Sequence, residues 1–160
     1  MEFHLTYQGQ LFATQRDAKI GSRSKYIENK YAIRQVFHRQ LKMLWETLPA
    51  LNPVSDRPPV LLVSGPTDFK EPLSSPTEIS RQFDMYGFNF VPLVMKDLDL
   101  ICALDILFLR PDRPGSVIWA GDIDNRLKTL LDALRVPEPN EDYHKTIPTS
   151  DEKPFFVLLE

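Results

Sequence analysis

Asp122, Asp124 and Lys128 are the residues whose types and spacing could do chemistry, and they share one short run, GDIDNRLKTLLDAL, residues 121–134. Two neighbouring carboxylates repel unless something positive lies between them. A hard divalent cation is the usual answer, because Mg²⁺ takes oxygen ligands, often one or two carboxylates completed by water and substrate phosphate. An amine one helical turn further on could stabilise charge developing on that phosphate. If the residues before a helix cap at Asp124 are extended, side chains 122 and 124 point to the same side. The competing use of such acids is capping, since carboxylates at a helix start meet free N–H groups and the positive dipole end. One Asp suffices for a cap, and the second is left without a part in that reading.

The run that must position these groups reads as a helix. At about 100° per residue, Ile123, Leu127, Leu130, Leu131 and Leu134 fall on one side, which must face a core. Asp124, Asn125, Lys128, Asp132 and Arg135 fall on another. Gly121 lets the backbone turn before the helix.

GDIDNRLKTLLDAL resembles the signature of the RusA-type Holliday junction resolvases, a group common in phages and prophages. The matching positions are Asp122, Asp124, Asn125, Lys128 and Asp132, and LDILFLR, residues 104–110, resembles the family's strand before the motif. The likeness spans about a quarter of the chain, from about 100 to 135. It implies a homodimer acting on four-way DNA junctions, with catalytic Asp122, Asp124 and Lys128. The two Asp would hold Mg²⁺, or Mn²⁺ in its place. Asn125 would orient a carboxylate or the phosphate, and Asp132 would stand behind Lys128. A third acid is implied after the motif helix. The acids of the polar 136–153 connection read as solvated, so the better place is the end of the last strand. Either Glu160 is the third ligand, or the chain stops short and that ligand lies beyond it.

The 160 residues suit one domain with a core of its own. A single cysteine, Cys102, excludes a disulfide framework and reads as a small core residue. There is no secretory leader and no long apolar run, so a soluble cytoplasmic protein without membrane contact is expected. A net charge of −3 counts against a pure phosphate-backbone binder without excluding a metal-dependent nuclease.

Along the chain, residues 2–7 alternate as an opening strand does, with His4 on the solvated side. The basic connection 14–25 suits solvent or phosphate equally. A long helix over 25–48 carries Ile33, Val36, Phe37, Leu41, Leu44, Trp45 and Leu48 inward and stops at Pro49. Its other face bears Arg34, His38, Arg39 and Lys42, with no acid between Asn29 and Trp45. That stripe is either an ordinary solvated face or a DNA-facing surface, to which Arg126 would add. Residues 49–76 hold seven of the fourteen prolines and read as a loop or insertion, with VLLV at 60–63 as a short strand. A short helix near 77–83 and a strand over 88–94 follow; Pro92 places that strand at an edge or a bulge. Residues 98–109, apolar on both faces, read as the central strand. Asp105 would be buried there, needing a structural partner or a place beside the metal. PDRPG, 111–115, is a turn; SVIWA, 116–120, is a strand whose Trp119 is core or a base-stacking platform. PFFVLLE, 154–160, closes the chain as a strand.

The expected fold is α+β, a RusA-like mixed sheet with two principal helices. The expected function is Mg²⁺-dependent, structure-specific cleavage of DNA. The alternatives are a non-catalytic DNA- or protein-binding member of the same fold, and a metal-dependent nuclease for another nucleic-acid structure.

Overall fold

The computed structural model describes residues 2–12, 22–48, 51, 75–96, 100–109, 120–139, 141 and 147–160, with residues 22–24 and 120–122 described by their backbone alone. Helix α1, Ser22–Thr47, is the longest element among the described residues. Its Ile33, Phe37, Leu41 and Trp45, one turn apart, are buried in the main core. A shorter helix, α2 (Pro76–Gln82), opens on a Ser75–Glu78 capping box with Pro76 at its start. Strand β1, Asp84–Met85, pairs antiparallel with β2, Phe88–Val94, through a two-residue turn. Tyr86 and Gly87 both have positive φ, 55° and 79°, as a tight hairpin turn of this hand requires. Helix α3, Ala120–Leu134, leads to β3, Phe155–Leu159, which lies parallel to β2 with Phe90 opposite Phe155 and Val94 opposite Leu159. The fold is therefore α+β, with, among the described residues, a mixed three-stranded sheet in the order β1–β2–β3.

Both faces of β2 and β3 are apolar and buried. Val91, Leu93, Phe156 and Leu158 face the main core with α1 and with Leu130, Ala133 and Leu134 of α3. Phe88, Phe90, Phe155 and Val157 form a second cluster on the other face, against Tyr31. Pro92 lies in the middle strand, but β1 reaches only as far as Asn89, so no β1 residue calls on the N–H that proline lacks. Among the described residues, no helix is long and apolar enough to cross a membrane.

Two expected strands differ. Residues 2–12 join no ladder, although Phe3, Leu5, Tyr7 and Leu11 pack on the core and His4 is exposed, as the alternation predicts. Side-chain amides replace a partner strand. Gln40 accepts from Thr6 N–H at 2.8 Å and donates to Thr6 O at 2.8 Å. Asn29 accepts from Phe12 N–H at 3.3 Å and donates to Gln10 O at 2.9 Å. Five extended residues and eleven helical ones each span about 16 Å, so the segment can run along α1 and meet both amides.

Residues 100–109 also belong to no strand. The period of two survives: Leu100, Leu104, Ile106 and Phe108 are about 40% exposed, while Ile101, Leu107 and Leu109 are 82–99% exposed. The two-sided apolar strand expected here is instead realised by β2 and β3. Asp105 is exposed and needs no buried partner, which corrects the expectation. Cys102 is half-buried against the core. VLLV, PDRPG, residues 116–119 of SVIWA and Trp119, and most of the 14–25 and 49–76 connections lie outside the described residues.

Candidate active site along α3

Past Ala120, helix α3 opens on weak helix formers, with acids where the helix start favours them, and becomes rich in strong ones from Arg126 on. Its buried side is Thr129, Leu130, Ala133 and Leu134. Thr129 was not among the apolar positions, but its hydroxyl is satisfied, lying 2.7 Å from Phe12 O and 3.0 Å from Asn125 O. Ile123, expected inward, is 37% exposed. Leu127 and Leu131 are half-buried and floor an open groove of about 480 Å³. The groove is walled by Asp124, Lys128, Asp132 and Arg135, and closed on the far side by Leu159 of β3. Positions 124, 128, 132 and 135 are successive turns of one face, so acid, amine, acid and guanidinium alternate along it. Arg135 also forms a β-bridge with Leu159, and Val136 N–H donates to Leu159 O at 3.0 Å, which fixes α3's end against β3.

The helix begins at Ala120, earlier than expected, so positions 122 and 124 both lie in its first turns rather than on an extended approach. Positions two apart on a helix are about 200° apart around its axis, so the alternation argument for paired carboxylates does not hold. The side chain of Asp122 lies outside the described residues; Asp124 and Lys128 are exposed on the groove. Glu160 is exposed at the end of β3, next to Leu159. Its backbone N–H donates to Val94 O at 3.1 Å, and its carboxylate accepts from Lys96 N–H at 3.2 Å. Among the described residues, no three His, Cys, Asp or Glu side chains gather as a metal-binding group.

Asn125 and Asp132 are half-buried. Asp132 shares the groove wall with Lys128, and its backbone carbonyl accepts from Arg34 at 2.8 Å. Arg126 is drawn inward, donating to Leu11 O at 2.6 Å, and so ties the N-terminal segment to α3 instead of facing DNA.

The basic stripe on α1 does not survive as a surface. Arg34 is 1% exposed and His38 2% exposed. Arg34 grips both oxygens of Glu141, at 2.9 and 3.2 Å, and Lys30 reaches the same carboxylate at 2.5 Å. Burial pushes the Glu141 carboxyl up, but hydrogen bonds and charge from Arg34, then Lys30, outweigh it and hold it below the usual carboxylate range. Lys42 pairs with Asp151 at 2.9 Å, and Arg39 remains exposed, bonded to Gln35 O at 3.4 Å. Of the cations expected to face DNA, Arg39 alone stays fully on the surface.

Arg135 extends the chemical row of α3 beyond what the motif contains, and its spacing from Lys128 is a signal that the sequence carries. Leu159 enters by long-range pairing, for which no local signal exists. Neither protein-family models, nor curated proteins, nor solved structures give a match to this chain.

Proposed function

We propose that this protein is a Mg²⁺-dependent endonuclease for branched DNA, with the groove face of α3 as its catalytic surface. The observation that carries the reading is the alternating row Asp124, Lys128, Asp132 and Arg135 on an open groove. The resemblance of GDIDNRLKTLLDAL to the RusA-type signature supports it. An exposed carboxylate such as Asp124, open to water and substrate, is the oxygen donor that Mg²⁺ takes. Asp124 would hold the ion on the groove face. The resemblance implies Asp122 and Glu160 as its further carboxylates; since positions 122 and 124 lie about 200° apart around α3, the Asp122–Asp124 pair is the part of the reading that the helix supports least. Bound there, the metal would supply Lewis acidity and a water of lowered pKa. Lys128, one turn from Asp124 on the same groove, would offer an ammonium to negative charge growing on a bound phosphate. Asp132, one turn further along the same groove, would attract that ammonium from the other side. Arg34 grips the Asp132 carbonyl and holds the end of the helix in place. Two subunits would present two such surfaces to the arms of a four-way junction.

A second reading is a non-catalytic binding protein of the same fold, favoured by the start of α3 at Ala120, which sets positions 122 and 124 about 200° apart and undoes the paired-carboxylate geometry. Incubation with four-way, flap and linear DNA and with RNA in Mg²⁺ separates the readings. The proposal expects nicking of the branched forms. Binding without cleavage supports the second reading, and cleavage confined to flaps or RNA makes it a nuclease for another structure.

A further inference from the structure

His38 lies on the side of α1 that meets β3. Its Nδ1 accepts the Phe156 N–H at 2.9 Å. A neutral imidazole has one accepting nitrogen, so Nε2 carries the hydrogen and donates to Asp151 O, 3.2 Å away. The ring stacks on Phe155 at 4.4 Å and on Phe156 at 5.8 Å. Among the described residues β3 has β2 as its one strand neighbour, so its other edge needs partners elsewhere. Two are present: His38 at Phe156 N–H, and Val136 at Leu159 O.

We infer that His38 is a pH-sensitive seat for β3: neutral, it holds the strand's first half to α1, and a proton on Nδ1 releases it. Protonation would set two donors, Nδ1–H and Phe156 N–H, against each other and strand the amide in a buried place. It would also place a cation against two phenyl rings, whose faces attract it. The rest of the surroundings does little to accept that cation. From α1 come Lys42 and Arg39, both positive. From the turn Ser150–Glu152 come Asp151, whose carboxylate is engaged by Lys42 at 2.9 Å, and Glu152. The Glu152 carboxylate accepts from Tyr31 and Gln35 at 2.7 Å each, and from Thr149 N–H at 2.8 Å. β3 offers only the rings of Phe155 and Phe156. Burial accordingly pushes the imidazole below its ordinary 6.5, against the Asp151 carbonyl, which works the other way.

The direction of the pH effect follows. The seated state binds fewer protons than the released state below pH 6.5, so release becomes easier as pH falls from there and levels off below the seated ring's own pKa.

The test is amide hydrogen exchange of Phe156 in the whole chain between about pH 7.5 and 5, corrected for intrinsic rates. The opening constant should rise about tenfold per pH unit below about 6.5, as uptake of one proton requires. His38→Gln, which can accept and donate but cannot titrate, should flatten that slope. A flat wild-type profile, or an equal slope in the variant, overturns the inference. Should His38→Gln fail to fold, ring ¹⁵N shifts of the wild type decide. A neutral Nε2–H ring at pH 7, titrating in step with the Phe156 amide, supports the seat. A ring already protonated at pH 6.5 with that amide undisturbed refutes it.

Discussion

Replacing Glu141 by Gln tests how α1 and the segment after α3 are joined. The side chains of Arg34, Lys30 and Glu141 are 0%, 8% and 14% exposed, so two cations share one carboxylate largely out of water. Removing one member of a buried pair leaves an uncompensated charge and costs about 3–5 kcal/mol. Glutamine keeps one accepting oxygen, so the lower end, about 3 kcal/mol, is expected. At this chain length that is a fall in Tm of roughly 6–12 °C. The control is Glu138→Gln, which removes the partner of Arg135. There the side chains are 57% and 39% exposed, and an exposed pair is worth about 1 kcal/mol or less. Urea unfolding of the two variants at pH 7 measures both. The difference should also carry a pH signature. The Glu141 carboxyl is held below its ordinary 4.5 in the folded chain, so its contribution is present above that value. It is lost as pH falls through 4.5 and then through the folded pKa, and the gap between wild type and variant should close there. Equal small losses for both variants, or a gap that persists unchanged at pH 3, would refute the buried-cluster account.

Gly87→Ala should destabilise by about 1 kcal/mol through the positive φ alone, because the added Cβ would meet nothing nearer than Pro148 at 4.0 Å; denaturant midpoints check this, and a neutral result means that the hairpin turn differs. Lys128→Ala should lower single-turnover cleavage by about 10²–10³-fold with a much smaller loss of DNA affinity, as for a donor aimed at transition-state charge. Equal losses in rate and affinity would make Lys128 a simple phosphate contact.

The helices and the two long strands were legible because their signals are local. Leucine spacing set α3, the Ile33–Trp45 repeat set α1, and the apolar runs FNFVPLV and PFFVLLE marked β2 and β3; the short helix expected near 77–83 is α2. What failed depended on partners. Alternation in residues 2–7 correctly says which side chains point inward, but not that Gln40 and Asn29 would take the place of a neighbouring strand. Apolar character on both faces of 98–109 says that the segment suits burial, not that burial occurs, and Asp105 is exposed. The basic stripe on α1 misled for a related reason. A row of cations looks the same in sequence whether it faces solvent or Glu141, which lies 107 residues from Arg34. The chemical row on α3 was legible through Arg135, while its wall at Leu159 is a product of the parallel pairing of β3.

The most direct test of the central claim is the single-turnover rate on a four-way junction in Mg²⁺, wild type against Asp124→Asn, with junction affinity measured alongside. The amide keeps the size of the side chain and removes its charge. The account predicts Mg²⁺-dependent nicking by the wild type and its abolition in the variant, with folding and affinity little changed. Cleavage by Asp124→Asn at the wild-type rate would contradict it.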